Sequence, residues 1–431
     1  MQSSVCSCPL FVLADELLCD LVPDCRVLLM SQTCRRVRET LQRGKCGVEV
    51  VLKRQIGSNV RTTMLVPKGI NTLQEHFKIR RFEYYGLIRS VSLKFIEFEE
   101  VTFMHLSTLR MHCCQLKEMH LIYLMHMLTY SKNMRTFEFT QQGIKCRQAQ
   151  WLAECIRCFP KLETLNLNLN YFVFDSLAVV LDAVQTSTLS RLDLSTNSCE
   201  DNIKTMKLCR VIHKNCITLK TLNLSFMRLR NNAFDLLVNA ISTCRFLESL
   251  DLSQNHLHYG SLMDVLKATA GCHLKSFNWS GNRLGSAGTF VLANHINHNA
   301  LWKTTMRELK LSMCDVYNGL QSLEDALITC TGLHTLDVAS NALYASEVAS
   351  ILTNMSVKRL NISNNYISDY GMQLILQRSM NSTTLRDLNV IGNHMTMQTL
   401  QKFRLLRKRN QMTVELPRTP CLCDVCKSIG T

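Results

Sequence analysis

Apolar and polar positions alternate in a short run that recurs through most of the chain. In LESLDLSQN, beginning at Leu247, the first, fourth and sixth positions are leucine, those between are polar, and the ninth is asparagine. The same order is clear in LETLNLNLN from Leu162, LSRLDLSTN from Leu189, LHTLDVASN from Leu333, VKRLNISNN from Val357 and LRDLNVIGN from Leu385. Weaker copies begin at Leu106, Met134, Leu219, Leu274 and Met306. Alternation with a period of two predicts a short strand with its apolar side chains on one face. Apolar residues at helical spacing follow, as at Phe234, Leu237, Val238 and Ile241, and predict a helix after each strand. Successive starts from Leu106 lie 28, 28, 27, 30, 28, 27, 32, 27, 24 and 28 residues apart, which marks an internal repeat and is too long for a heptad.

The ninth position explains how strand turns into helix. Asn170, Asn197, Asn255, Asn282, Asn341, Asn365 and Asn393 occupy it, and a carboxamide can satisfy buried main-chain groups where the chain leaves a strand. Cys114, Gln142, Met227 and Cys314 stand there in other copies. The thiols and Gln142 can form similar, weaker bonds, whereas Met227 cannot, so a local irregularity is expected at Met227.

These residues resemble the leucine-rich repeats of the ribonuclease-inhibitor type over residues 101–416, about eleven units. The resemblance implies an α/β fold: a leucine-rich-repeat solenoid, or horseshoe, with a concave parallel sheet and outer helices. One strand and one helix cannot bury their apolar faces alone, so neighbouring units must cover them. The composition agrees, since 431 residues at 46% apolar can bury a large core, and 6 Pro and 16 Gly leave no long flexible linker. Residues 46–100 are then a basic connecting or capping region, and 417–431 a cysteine-containing tail.

The segment LADELLCDLVPDCRVLLMSQTCRRVRETL from Leu13 resembles an F-box in its acidic start, its apolar stretches and its Ser31, Cys34, Arg35, Arg38 ending. Ala14 stands where that family has proline, Val37 where it has tryptophan, and the part from Ala14 to Pro23 is shorter by roughly one helical turn. Taken as an F-box, residues 1–45 would contact a Skp-type adaptor of a cullin-RING ubiquitin ligase through Leu17, Leu18, Pro23, Leu28, Leu29 and Cys34. The other reading is a helical cap that closes the first repeat.

Signals for other chemistry are weak. There is no phosphate-binding Gly-x-x-x-x-Gly-Lys-Ser/Thr loop and no Gly-x-Ser-x-Gly nucleophile elbow. Gly281, Gly285 and Gly288 fall at a strand-to-helix turn, where glycine permits tight geometry. Cys421, Cys423 and Cys426 lack an obvious fourth ligand, and the group His105, His112, Cys113, Cys114, His120 and His126 reads as structural. A non-catalytic protein without cofactor or metal is therefore expected.

The 21 cysteines, scattered through repeat cores, suit a reducing cytoplasm or nucleus. No apolar run approaches the roughly 18 residues of a membrane helix, and Asp15 and Glu16 interrupt the apolar N-terminal stretch. The sequons at Asn223, Asn278 and Asn361 are produced by the repeat itself.

The net charge is +15, and residues 35–94 hold 14 Lys and Arg against 4 Glu. Such a surface could attract an acidic partner, but no nucleic-acid-binding domain is recognisable, so neither nucleic acid nor membrane is an expected partner. The basic run Lys402, Arg404, Arg407, Lys408, Arg409 suits a helix C-terminus.

A protein target is expected on the outward-pointing strand residues, among them Arg191, Asp193, Asn223, Asp251, Lys310, Arg359, Asn361 and Asp387, with Tyr171, Phe172, His256 and Tyr259 from the loops. The function expected is a protein-binding scaffold serving as the substrate-recognition subunit of a cullin-RING ligase. The alternative is a scaffold or regulator outside ubiquitin transfer. Inhibition of a basic ribonuclease ranks below both, because a basic chain is poorly matched to a basic enzyme.

Overall fold

The computed structural model describes residues 48–53, 79–85, 106–112 and 118–417, except 174, 185, 187, 230, 317–318 and 410–411. The F-box-like residues Leu17, Leu18, Pro23, Leu28, Leu29 and Cys34 lie outside these, as do His105, Cys113, Cys114, Cys421, Cys423 and Cys426. The chain divides into two compact units, Met1–Ser198 and Cys199–Thr431.

In the first unit the strands are β1 (Val48–Lys53), β2 (Ile79–Tyr85), β3 (Thr108–His112), β4 (Thr136–Thr140), β5 (Thr164–Asn166) and β6 (Arg191–Asp193). Each pairs in parallel with the next in sequence order. Parallel neighbours need a crossover, and helices α1 (Glu118–Leu128), α2 (Cys146–Arg157) and α3 (Ser176–Ala183) supply those after β3, β4 and β5. β1 and β2 carry the ladder upstream of residue 101, into the region read as connecting or capping. Phe82 and Tyr84 of β2 pair in register with Leu109 and Met111, but Arg80 stands two residues before Phe82 and the run lacks the leucines that mark the later copies.

The second unit repeats the arrangement with β7 (Thr221–Asn223), β8 (Ser249–Asp251), β9 (Ser276–Asn278), β10 (Glu308–Lys310), β11 (Thr335–Asp337), β12 (Arg359–Asn361), β13 (Asp387–Asn389) and β14 (Thr413–Glu415). All seven pairings are parallel. The register places Leu222, Leu250, Phe277, Leu309, Leu336, Leu360, Leu388 and Val414 in one buried row. Each buried side chain in that row stabilises the stack by about 2 kcal/mol. A slip of one residue would turn the whole row to solvent.

The helices of this unit are α4 (Asn202–Lys214), α5 (Asn231–Ser242), α6 (Tyr259–Ala268), α7 (Gly285–His298), α8 (Ala300–Thr305), α9 (Leu320–Ile328), α10 (Ala345–Asn354), α11 (Asp369–Asn381) and α12 (Met397–Arg409). The expected face of α5, Phe234, Leu237, Val238 and Ile241, is buried. Each unit is thus a run of α/β leucine-rich-repeat solenoid.

The interval of 32 residues between Leu274 and Met306 has a structural cause. It accommodates the extra helix α8, capped by the Asn299 carboxamide oxygen, which accepts from Leu301 N and Trp302 N at 3.0 and 3.2 Å. That helix delivers Trp302 into the core, 5.4 Å from Phe277 and 4.8 Å from His295 between ring centroids.

Burial beside Trp302 lowers the His295 pKa from 6.5 to about 4. The folded chain therefore holds fewer protons than the unfolded one between these values, and stability falls as pH drops from 6.5 towards 4. Denaturant unfolding of wild type and His295→Gln across that window should show the variant losing less stability on acidification. Parallel profiles would refute the assignment.

The ninth-position asparagines form a buried ladder. In Asn282, Nδ2 donates to the Leu252 and Trp279 carbonyls at 2.9 and 3.0 Å, while Oδ1 accepts from Asn255 N and Leu257 N at 3.1 and 3.0 Å. Asn255, Asn341, Asn365 and Asn393 repeat the pattern. The substitutes behave as their chemistry predicts. Gln142 Nε2 reaches the Thr140 and Met111 carbonyls at 2.7 and 3.3 Å, and Cys314 Sγ lies 3.4 Å from those of Trp279 and Ser312. Met227 has no polar side chain to offer, and Cys199 N–H bonds its main-chain carbonyl instead, at 2.8 Å.

Among the described residues, ten cysteines are free thiols. Burial pushes the thiols of Cys244 and Cys314 up to about 12, so both are packing residues, not nucleophiles. No group of three His, Cys, Asp or Glu among the described residues is arranged to hold a metal ion. No helix among them is long and apolar enough to cross a membrane.

Candidate protein-binding surface

The strand faces opposite the leucine row carry the third, fifth and seventh repeat positions. The fifth-position side chain usually accepts the main-chain N–H two residues on, which turns the chain off the strand. Asn223 Oδ1 accepts from Ser225 N and Oγ at 3.1 and 2.9 Å, Asp251 Oδ1 from Ser253 N and Oγ at 2.9 and 2.6 Å, and Asn361 Oδ1 from Ser363 N at 3.2 Å. Asn278 adds a lateral bond from Nδ2 to Asp251 Oδ2 at 2.8 Å. This face is polar and largely bonded within itself.

Of the residues expected to point outward, Arg191 and Arg359 are exposed, while Asn223, Asp251, Lys310, Asn361 and Asp387 are half-buried. Asp193 departs from expectation: it is 4% exposed, and its Oδ1 accepts from Ser195 N and Oγ at 3.1 and 2.7 Å. The side chains fall in both units, with Arg191 and Asp193 on β6 and the others on β7, β8, β10, β12 and β13. Lys310 Nζ pairs with Glu308 Oε1 at 3.0 Å. Ser276 Oγ also donates to the Glu308 carboxylate. Burial raises the Glu308 pKa, but these donors and the charges of Lys310 and Arg359 outweigh it and hold it below the usual carboxylate value.

The loops leaving the strands are more distinctive. The residues on either side of the ninth position adopt left-handed backbone, in the pairs Leu169/Tyr171, Phe226/Arg228, Gln254/His256, Met313/Asp315, Ser340/Ala342 and Asn364/Tyr366, with φ between 50° and 58°. Non-glycine residues in this region cost of order 1 kcal/mol each. The asparagine ladder holds them there. The ninth side chain points inward, while Phe226, Met313 and Tyr366 are exposed by 53%, 57% and 71%.

Tyr259, Tyr344 and Tyr370, at the starts of the following helices, are exposed as well. The Tyr366 ring lies 6.1 Å from that of His394 in the next repeat, tilted by 37°. Of the four loop residues expected from sequence, Tyr171, His256 and Tyr259 are exposed, but Phe172 is buried in the core of the first unit. Phe226, Met313, Tyr344, Tyr366 and Tyr370 were not among them. Their signal is an apolar residue at positions where the repeat's own core has no use for one.

No family model matches this chain. It is 28% identical over 319 residues to human NACHT, LRR and PYD domains-containing protein 12, covering 70% of this chain and 29% of that protein. It is 30% identical to the ribonuclease inhibitor of Sus scrofa, over 40% of this chain and 36% of the inhibitor. The chain spans about a third or less of the first curated relatives it matches. Among solved structures, that of the yeast Rad7 and Elc1 complex matches with a TM-score of 0.50 and 12% identity, covering 83% of this chain and 86% of the other. The parallel strands, buried leucine rows and asparagine ladder give the chain the leucine-rich-repeat solenoid fold.

Proposed function

We propose that the chain is a non-catalytic protein-binding scaffold and acts as a substrate-recognition subunit of a cullin-RING ubiquitin ligase. The observation that carries the binding role is the set of exposed apolar and aromatic side chains on the loops leaving the strands and at the starts of the helices that follow, Phe226, Met313, Tyr344, Tyr366 and Tyr370. Tyrosine is enriched among residues that dominate binding energy, and a preset backbone reduces the entropy lost on docking. The ligase role rests on the F-box-like residues Leu17, Leu18, Pro23, Leu28, Leu29 and Cys34. The solved Rad7 and Elc1 complex contains a chain of similar fold in an assembly of two proteins. The repeat surface would hold a target protein near the transferring enzyme and so raise the effective concentration of its lysines.

The test is capture from cell extract by the full chain, by residues 46–431 and by a full-length Phe226→Ser/Tyr366→Ala variant. A Skp-type adaptor and a cullin should come down with the full chain and the double variant but not with the truncated chain. The double variant should lose co-captured target. Adaptor capture by residues 46–431 would refute the role of the N-terminal segment. Target capture without adaptor by the full chain would favour a scaffold outside ubiquitin transfer.

A further inference from the structure

At the other end of the strands the second unit carries a row of charge. The second repeat position holds Lys220, Glu248, Lys275, Arg307, His334, Lys358 and Arg386. The main chain sets this row: each carbonyl accepts two N–H groups from the next repeat. Lys275 O takes Arg307 N and Glu308 N at 2.8 and 2.9 Å, Arg307 O takes His334 N and Thr335 N at 2.9 and 3.0 Å, His334 O takes Lys358 N and Arg359 N at 2.9 and 2.8 Å, and Lys358 O takes Arg386 N and Asp387 N at 2.7 and 3.0 Å. Neighbouring side chains in the row are therefore about 4.8 Å apart at their bases.

The two ends of this row differ. Glu248 is bonded by Lys275 at 2.6 Å and faces Lys220 at 3.8 Å, so one carboxylate is shared by the two lysines and a single net positive charge remains. The rest of the row, Arg307, His334, Lys358 and Arg386, contains no carboxylate, and the exposed Arg359 adjoins it. Among the described residues none of these four Arg and Lys side chains has a carboxylate within ion-pair distance. The nearest acids in sequence register are Glu308, already held by Ser276 and Lys310, and Asp387, paired in register with Arg359.

Arg307 is held in place before any partner arrives. Its Nη1 donates to the Thr304 and Met306 carbonyls at 2.9 and 3.1 Å. It lies across Gly332, where an added Cβ would fall 1.6 Å from that nitrogen. His334 sits between Arg307 and Lys358 in the row. Burial first, then the charges of Lys358, Arg307 and Arg359, hold its pKa below the ordinary histidine value against the opposing Leu333 carbonyl.

We propose that the row from Arg307 to Arg386, with Arg359, is a docking strip for an extended acidic segment of a protein partner. This rests on the reading of the chain as a protein-binding scaffold and specifies the chemistry of what it binds. Three strand spacings cover about 14 Å, the length of roughly four extended residues, so two or three alternate Asp or Glu side chains would face the cations. A peptide fits better than a nucleic acid. No Phe, Tyr or Trp side chain in the second or third position of β9 to β13 offers a base a stacking surface. Glu308 and Asp387 can accept peptide N–H groups, which a phosphodiester backbone does not offer.

The test is fluorescence anisotropy of a labelled oligo-aspartate peptide with the full chain. Saturable, salt-sensitive binding is expected, weakened about tenfold in Arg307→Gln/Lys358→Gln/Arg386→Gln, since each exposed ion pair is worth roughly two- to fivefold. Gly332→Ala, which only displaces Arg307, should weaken it about threefold on the same scale. Bound carboxylates favour protonated His334, so affinity should rise as pH falls through the histidine range and lose that rise in His334→Gln.

Charge reversal by Arg307→Glu/Lys358→Glu/Arg386→Glu should transfer binding to oligo-lysine, which a merely unfolded variant would not do. Unchanged affinity in the glutamine variant overturns the strip. So does tighter binding of a single-stranded oligonucleotide of equal charge. Either failure with target capture through Phe226 and Tyr366 intact removes only this inference; loss of that capture bears on the scaffold reading.

Discussion

Asn282→Ala is expected to lower the stability of its unit by about 3 kcal/mol, because it strands two buried N–H groups at roughly 1 kcal/mol or more each and takes one donor from each of two buried carbonyls that keep a second, from Asn255 Nδ2 and Cys314 Sγ. The Leu252 and Trp279 carbonyls lose a donor, and Asn255 N and Leu257 N lose their acceptor. Alanine replaces none of these in a position that is 1% exposed. Asn197 provides an internal control. Its Nδ2 reaches the Leu167 and Leu194 carbonyls at 2.9 and 2.8 Å, but no described residue donates to its Oδ1. Asn197→Ala should therefore cost about half as much. Urea unfolding monitored by circular dichroism would measure both, taking the first transition where the repeats unfold in stages. Equal losses at the two sites would mean that the carboxamide oxygen contributes nothing.

Trp302→Ala is expected to cost about 4 kcal/mol for a different reason, the cavity left where a buried indole stood. The ring is fully buried between Phe277 of β9 and His295 of α7. The helix that presents it spans only Ala300–Thr305 and has little stability apart from its packing. Collapse of α8 into the gap would loosen the connection to β10, so local exposure should accompany the lost stability. Trp302→Phe retains part of the aromatic contact and should cost about 1 to 2 kcal/mol. Hydrogen exchange across residues 295–310 together with urea unfolding would test both variants. A loss below about 1 kcal/mol in the alanine variant would show that α8 is dispensable to the core.

Much of the repeat architecture was legible because its signals are local and periodic. The leucine spacing identified β3 to β13 and the helices between most of them, and the ninth asparagines identified the ladder, including the weaker substitutes at Gln142 and Cys314. β1 and β2 were missed because they lack the leucine spacing and the ninth asparagine that mark most other copies, although Val50 and Leu52 of β1 and Phe82 and Tyr84 of β2 alternate with charged or polar neighbours in part. Trp302 was not recognised as a core residue, since an insertion has no place in a repeat template.

The outward residues on the strands were placed on the correct face, yet Asp193 is covered and several others are bonded to their own neighbours. Phe172 was grouped with Tyr171 as a loop contact, but alternating left-handed backbone sends one outward and the other into the core. Sequence spacing cannot reveal that alternation, because it depends on the ninth side chain finding its partners in the adjacent repeat.

The sequence by itself determined the repeat, its parallel strand order and the identity of its buried rows, because each unit's apolar face can be covered only by an adjacent copy. Tertiary structure decided which side chains share a rim. Phe226, Met313 and Tyr366 belong to separate repeats, as do Arg307, His334, Lys358 and Arg386, and intervals of 24 to 32 residues separate their copies. Only the backbone ladder, by fixing the register of one strand on the next, brings them into line.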